Sequence, residues 1–147
     1  MHPLFSKASH LTQAIIGAAI EVHRDNGPGL VESIYEWCLT KELELRQLDS
    51  LKQKTVTVRH KSFVREEPLR FDLLGDGCVW VEIKSVEVIL FIHKAQLPSY
   101  LKLLDVPLGL LINFNVARLA NGLSRLILPG ADALSPADSA SSCEMNP

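Results

Sequence analysis

The sequence predicts a mixed α/β (α+β) sandwich whose elements run helix, helix, three-strand meander, helix, strand, strand. Three observations carry that expectation. Apolar residues recur at helical spacing twice before residue 47 and again between residues 91 and 104. Two β-rich segments meet at Gly75-Asp76-Gly77, a glycine-flanked pair of the kind that turns a hairpin. The run LGLLINF at 108–114 is apolar but for Asn113 and of strand length, which suits a buried strand.

Taken in order, Ser9 or Thr12 is placed to cap a first helix running to about Arg24, with Leu11, Ile15, Ala18, Ala19 and Val22 on one face. DNGPG breaks it, because two glycines around a proline cannot continue a helix. A second helix is expected from Leu30 to about Gln47, its apolar stripe formed by Ile34, Tyr35, Cys38, Leu39 and Leu45. Residues 55–60, 68–74 and 78–84 alternate as strands do. A third helix covers 91–104 although it contains Pro98, which removes a backbone donor and points to a kink or a later start. Strands at 108–114 and 123–128 complete the domain, taken as residues 1–128. The Pro-, Ala- and Ser-rich segment 129–147 has the composition of a disordered tail.

Composition narrows the class. A chain of 147 residues with 47% hydrophobic and 22% charged residues is sized for one ordinary globular core. The net charge of −2 does not announce a nucleic-acid partner, and three of the acids (Asp132, Asp138, Glu144) sit in the tail. Cys38, Cys78 and Cys143 are odd in number and form no CxxC pair, which predicts free thiols in a reducing, cytoplasmic setting rather than a disulfide frame or zinc site. AIIGAAI is followed at once by Glu21, Arg24 and Asp25, so it is expected to be an amphipathic helix and not a leader or a membrane span.

The segment Asp72–Ser85, DLLGDGCVWVEIKS, carries the chemistry. A glycine-flanked loop at 75–77 would set Asp72 opposite Trp80 and diagonal to Glu82, a cross-strand separation of roughly 7–8 Å that one divalent cation can bridge. Alternation would put Asp72, Glu82 and Lys84 on one face and Val79, Val81 and Ile83 on the other, in the core. Oxygen ligands of that type suit Mg²⁺ or Mn²⁺, and Lys84 beside them could orient water or stabilise developing charge. The same alternation is also what the solvated face of an ordinary sheet looks like. On the third helix, Gln96 and Tyr100 are one turn apart and share a side with His93, where they could position a nucleic-acid backbone. Glu32 opens the second helix, where the helix dipole favours an acid whatever its role.

Together the ordered set Glu32, Asp72, Glu82-Ile83-Lys84, Gln96 and Tyr100 resembles the PD-(D/E)XK nuclease superfamily. Gly29-Leu-Val-Glu32-Ser-Ile-Tyr35 resembles the signature of its GxxExxY branch, and the resemblance spans about Leu11 to Leu128. It implies a restriction-endonuclease-like αβββαβ core with an extra N-terminal helix and a mixed sheet. It also implies a Mg²⁺- or Mn²⁺-dependent nuclease hydrolysing phosphodiester bonds. The substrate is not part of what the resemblance implies, and DNA is the expectation with RNA left open. Asp72, Glu82 and the Ile83 backbone carbonyl would hold the metal with Glu32, Lys84 would be the catalytic lysine, and Gln96 and Tyr100 would position the nucleic acid. Phe71 stands where the "P" of the motif name would be. Lys52, Lys54, Arg59, Lys61 and Arg65 offer a basic hairpin diluted by Glu66 and Glu67. The alternative is a catalytically inactive nuclease-fold module that binds nucleic acid or a protein partner, and the small size with no separate recognition domain hints at a homodimer or a protein partner. A cysteine nucleophile is the weakest option, since Cys38 and Cys78 lie in apolar runs where thiols are inert.

Overall fold

A computed structural model describes residues 1–133. Its elements are α1 (Phe5–Asn26), α2 (Glu32–Leu45), β1 (Ser50–His60), β2 (Phe63–Gly75), β3 (Val79–Lys84), α3 (Phe91–Leu104), β4 (Leu108–Asn113), a short 3₁₀ turn (Leu119–Gly122) and β5 (Leu123–Ile127). The strands form one sheet in the order β1-β2-β3-β4-β5. Only β3 and β4 run parallel, joined by the α3 crossover, and the other pairs are antiparallel. This is a mixed α/β fold consistent with the restriction-endonuclease-like class. None of the described helices is long and apolar enough to cross a membrane.

Strand alternation sorts the core into two halves. Val79, Val81 and Ile83 turn to one face, where Ile15, Ala18 and Val22 of α1 and Tyr35, Leu39 and Leu43 of α2 cover them. Trp80, Leu74 and Leu111 turn to the other and meet Leu97, Leu101 and Leu104 of α3. β4 is buried at every residue because both layers close over it, as its apolar run Leu108–Ile112 requires.

Several boundaries move, each for a physical reason. α1 starts at Phe5, and Thr12 is buried in mid-helix, spending its hydroxyl on the Ala8 carbonyl at 2.7 Å rather than on a cap. α2 starts at Glu32, after Gly29 at positive φ, and the Leu30 N–H before it is taken by the Tyr35 hydroxyl at 3.1 Å. That hydroxyl donates in turn to the Gly27 carbonyl at 2.5 Å, and the Tyr35 ring stacks on Phe114 with centroids 4.4 Å apart. Tyr35 therefore pins the Gly-Pro-Gly loop to the core. The buried stripe of α2 is Tyr35, Leu39 and Leu43, whereas Ile34 and Leu45 are exposed. α3 starts at Phe91, not later, and continues past Pro98, which is exposed, so the Lys94 carbonyl that loses its donor lies on the wet side of the helix. β1 and β2 extend beyond their expected limits into a largely exposed two-stranded arm that ends at the His60↔Phe63 pair. At the C-terminal end Ala131 is buried and its carbonyl accepts the His2 N–H at 2.8 Å. Residues 134–147 of the expected tail, with Cys143, lie outside the described residues.

Tyr35→Phe keeps the stack on Phe114 but strands the Leu30 N–H and the Gly27 carbonyl. Urea unfolding is expected to report a loss of about 1–3 kcal/mol, and an unchanged midpoint would remove Tyr35 as the loop's anchor.

Candidate active site at the fork between β2 and β3

The β2–β3 hairpin turns one residue later than its glycines suggest. Asp76 and Gly77 take positive φ (47° and 72°) and the Cys78 N–H returns to the Gly75 carbonyl at 3.0 Å. Gly75 stays in the strand under α1, where a Cβ would come within 2.9 Å of Ile15 Cδ1. The pairs are therefore Gly75↔Val79, Leu74↔Trp80 and Leu73↔Val81. Asp72 is not opposite Trp80, as the loop at 75–77 would have made it. One more step of this ladder would pair Asp72 with Glu82, and there the pairing stops.

A bulge causes the stop. On the β1 side Leu51 pairs with Leu74 and Gln53 with Arg70, so Lys52 alone faces Phe71, Asp72 and Leu73. Such an irregularity bends a strand and re-aims its side chains. Phe71 and Leu73, which a regular strand would turn the same way, pack into opposite halves of the core. Alternation thus fails at Asp72, and with it the expectation that Asp72 shares a sheet face with Glu82 and Lys84. Its carboxylate aims edge-on across the gap instead, where Oδ2 accepts the Ile83 N–H at 2.7 Å. Beyond this point β2 pairs only with β1, and Glu82–Lys84 pair only with Leu111–Asn113 of β4. The sheet forks.

The fork sets the surroundings of the remaining groups. The Phe114 N–H donates to the Lys84 carbonyl at 2.9 Å, so Lys84 turns its backbone toward β4. Successive residues present their backbone groups to opposite edges, and the Ile83 carbonyl consequently faces the side from which β2 has withdrawn. Glu82 is partly buried, and its Oε1 accepts the Trp80 indole N–H at 2.9 Å. Trp80 is held between Tyr100, stacked at 5.1 Å, and Phe71, tilted at 5.0 Å.

Electrostatics tie the acids together. Burial pushes the Glu82 carboxyl up to about 7, and the neighbouring Asp72 charge adds to the rise against the opposing pull of the indole donor and Lys84. The Asp72 carboxyl is raised too, first by burial, with the Ile83 N–H opposing and the Glu36 charge reinforcing. Lys84 pulls both acids down, and among the described residues it sits in no ion pair. Two like charges and one ammonium leave the cluster short of positive charge.

The other expected residues are placed unequally. Glu32 comes to the end of β3, but its Oε1 accepts the Ser85 N–H at 3.3 Å and its influence on the two acids is the smallest of those acting. Tyr100 reaches the site through the Trp80 ring, whereas Gln96 is exposed on α3. The His93 ring accepts the Leu90 N–H at 3.0 Å and caps α3. β3 is the middle strand, so the site lies at a strand end inside the sheet and not on a sheet edge. Glu36, which raises Asp72 and pairs with Lys52 at 3.3 Å, is an acid of the cluster that sequence patterning did not single out. Its signal was the spacing of one helical turn from Glu32. Asn113 is likewise unanticipated: buried, it binds the Val86 N–H and carbonyl at 3.1 and 2.9 Å and fixes the chain leaving β3.

Among the described residues no three His, Cys, Asp or Glu side chains form a ready-made metal cage. A Mg²⁺ ion does not need one, since it keeps several waters and takes one or two carboxylates along with substrate phosphate. Hard oxygen donors at a partly buried site lacking positive charge fit such a cation.

No curated protein and no solved structure gives a significant match to this chain. A family model described as the PD-(D/E)XK nuclease superfamily matches residues 9–126, from α1 to β5. The Asp72, Glu82 and Lys84 constellation falls inside that match, and the chain belongs to the PD-(D/E)XK nuclease superfamily.

Proposed function

We propose that the protein is a Mg²⁺- or Mn²⁺-dependent nuclease of the GxxExxY branch that hydrolyses phosphodiester bonds in DNA. Membership of the superfamily supports a nuclease-type function and nucleic acid as the partner class, and such nucleases generally use divalent metal ions. The observation that carries the proposal is the fork: Asp72 is held by the Ile83 N–H beside Glu82, and the ammonium of Lys84 acts on both carboxyls.

In this reading Asp72, Glu82 and the Ile83 carbonyl hold the metal, with Glu32 assisting from the start of α2. A bound divalent ion would supply a more acidic water and neutralise charge on the scissile phosphate. Lys84 keeps the attacking water oriented and stabilises the negative charge that develops on the phosphate oxygens. Tyr100 and Gln96 guide the nucleic-acid backbone across α3. A groove of about 490 Å³ lined by Thr57, Arg59, Ser99, Lys102 and Leu103 lies between the β1–β2 arm and α3, where a polyanion can follow it. Of the basic arm residues, Lys52 is already paired with Glu36 and Arg65 with Glu67, which leaves Lys54, Arg59, Lys61 and Arg70 for phosphate.

Purified protein incubated with linear, circular and single-stranded DNA, and with RNA, is expected to cleave DNA only when Mg²⁺ or Mn²⁺ is present. Asp72→Ala and Glu82→Ala should abolish cleavage while far-UV circular dichroism stays unchanged, and Lys84→Ala should lower the rate about 10²–10³-fold. A wild type that binds no divalent ion and cuts nothing would leave a non-catalytic module that binds nucleic acid or a protein partner. Cleavage of RNA alone would correct the substrate.

The raised Glu82 carboxyl makes a second test. Its folded pKa, about 7, lies above the ordinary 4.5, so the folded state binds more protons than the unfolded state between those values. Stability of the metal-free protein should therefore fall as pH rises through that window, while Mg²⁺ affinity rises as Glu82 ionises. Urea midpoints at about pH 5.5 and about pH 8 should differ in that direction, less so in Glu82→Gln. An unaltered difference in the variant would place the titrating group elsewhere.

A further inference from the structure

Resting on that reading of the acid pair as a metal site, we propose that Trp80 sets which divalent ion the site accepts. Trp80 is a positioning residue: it acts on the cation through Glu82.

Trp80 and Glu82 are two apart on β3 and so project to one side of the strand. The indole N–H donates to Glu82 Oε1 at 2.9 Å, and the ring is 1% exposed. It cannot swing away, because Tyr100 stacks on it with an interplanar angle of 6° and Phe71 closes on it at 55°. One lone pair of Glu82 Oε1 is thus held by a donor whose position the aromatic packing fixes, and Oε2 is the oxygen without a protein donor among the described residues.

That division matters because divalent ions differ in what they ask of a carboxylate. Ca²⁺ takes six to eight oxygens and readily binds both oxygens of one carboxylate, whereas Mg²⁺ takes fewer ligands, one oxygen at a time. For Glu82 to turn both oxygens fully to a cation, Oε1 would have to divide itself between the ion and an indole N–H that cannot follow it, which weakens a bond made by a buried donor. Trp80 therefore handicaps Ca²⁺ at this carboxylate, and by orienting the remaining oxygen it favours Mg²⁺, as hydrogen bonds to metal ligands do elsewhere.

The test separates this inference from the reading beneath it. Calorimetric titrations of Mg²⁺ and of Ca²⁺ into wild type and Trp80→Phe compare the two affinities without requiring turnover. Trp80→Phe keeps an aromatic ring between Phe71 and Tyr100 but removes the donor. A benzothienyl-alanine analogue at position 80, which exchanges only the ring N–H for sulfur, decides the matter should the phenylalanine variant fail to fold. Mg²⁺ affinity is expected to fall about tenfold and Ca²⁺ affinity to hold or rise, so that the Mg²⁺/Ca²⁺ preference drops by at least that factor. In ¹⁵N-labelled protein the indole N–H signal of Trp80, told apart from that of Trp37 by Trp37→Phe, should move on Mg²⁺ addition. A wild type that binds Mg²⁺ with an unmoved Trp80 signal, or an unchanged Mg²⁺/Ca²⁺ preference in the sulfur analogue, overturns the role of Trp80 alone. Failure of wild type to bind any divalent ion overturns both.

Discussion

The hydrogen bond from the Ile83 N–H to Asp72, 2.7 Å long, stands where a backbone ladder bond would otherwise be. With β2 bending away, the Ile83 N–H would be left without a partner, a costly state for a half-buried donor. A carboxylate fills the vacancy, and only a side chain released from regular alternation can reach it. The three-against-one bulge at Lys52 provides that release. Removing the bulge would return Asp72 to the pleat, close the fork and take away the gap that the Ile83 carbonyl faces.

The same geometry works against stability. Both faces of the sheet are covered, α1 and α2 on one side and α3 on the other, so charges on β3 are drawn into partial burial. Glu82 suffers most, and its raised carboxyl measures how poorly an anion is tolerated there. A fold selected for stability alone would place an apolar residue at that position, next to Trp80 and opposite Leu111. A half-desolvated acid beside a second acid and an ammonium is the kind of arrangement that functional sites retain at a cost.

How much could be read beforehand followed the locality of the physics. The limits of α3 and the burial of β4 are legible because helical periodicity and the apolar run 108–112 are properties of adjacent residues. Asp72, Glu82 and Lys84 were legible because charges on an apolar strand are conspicuous. Their mutual geometry was not: the register depended on Ile15 of a distant helix packing over Gly75, and the bulge on a strand twenty residues earlier. Pattern alone sets Trp80 opposite Asp72, whereas its side-chain partner is Glu82 on its own strand. Ile34 and Leu45 were assigned to the α2 stripe by spacing, but α1 and the sheet reach only the side that carries Tyr35, Leu39 and Leu43.

Everything proposed about chemistry depends on Asp72 and Glu82 sharing one divalent ion at the fork. Anomalous diffraction from crystals soaked in Mn²⁺ addresses this without any assumption about substrate. The account predicts an anomalous peak between the Asp72 carboxylate and Glu82, on the side faced by the Ile83 carbonyl. A well-occupied Mn²⁺ site elsewhere with none at the fork, or carboxylates turned apart in the crystal, would contradict it.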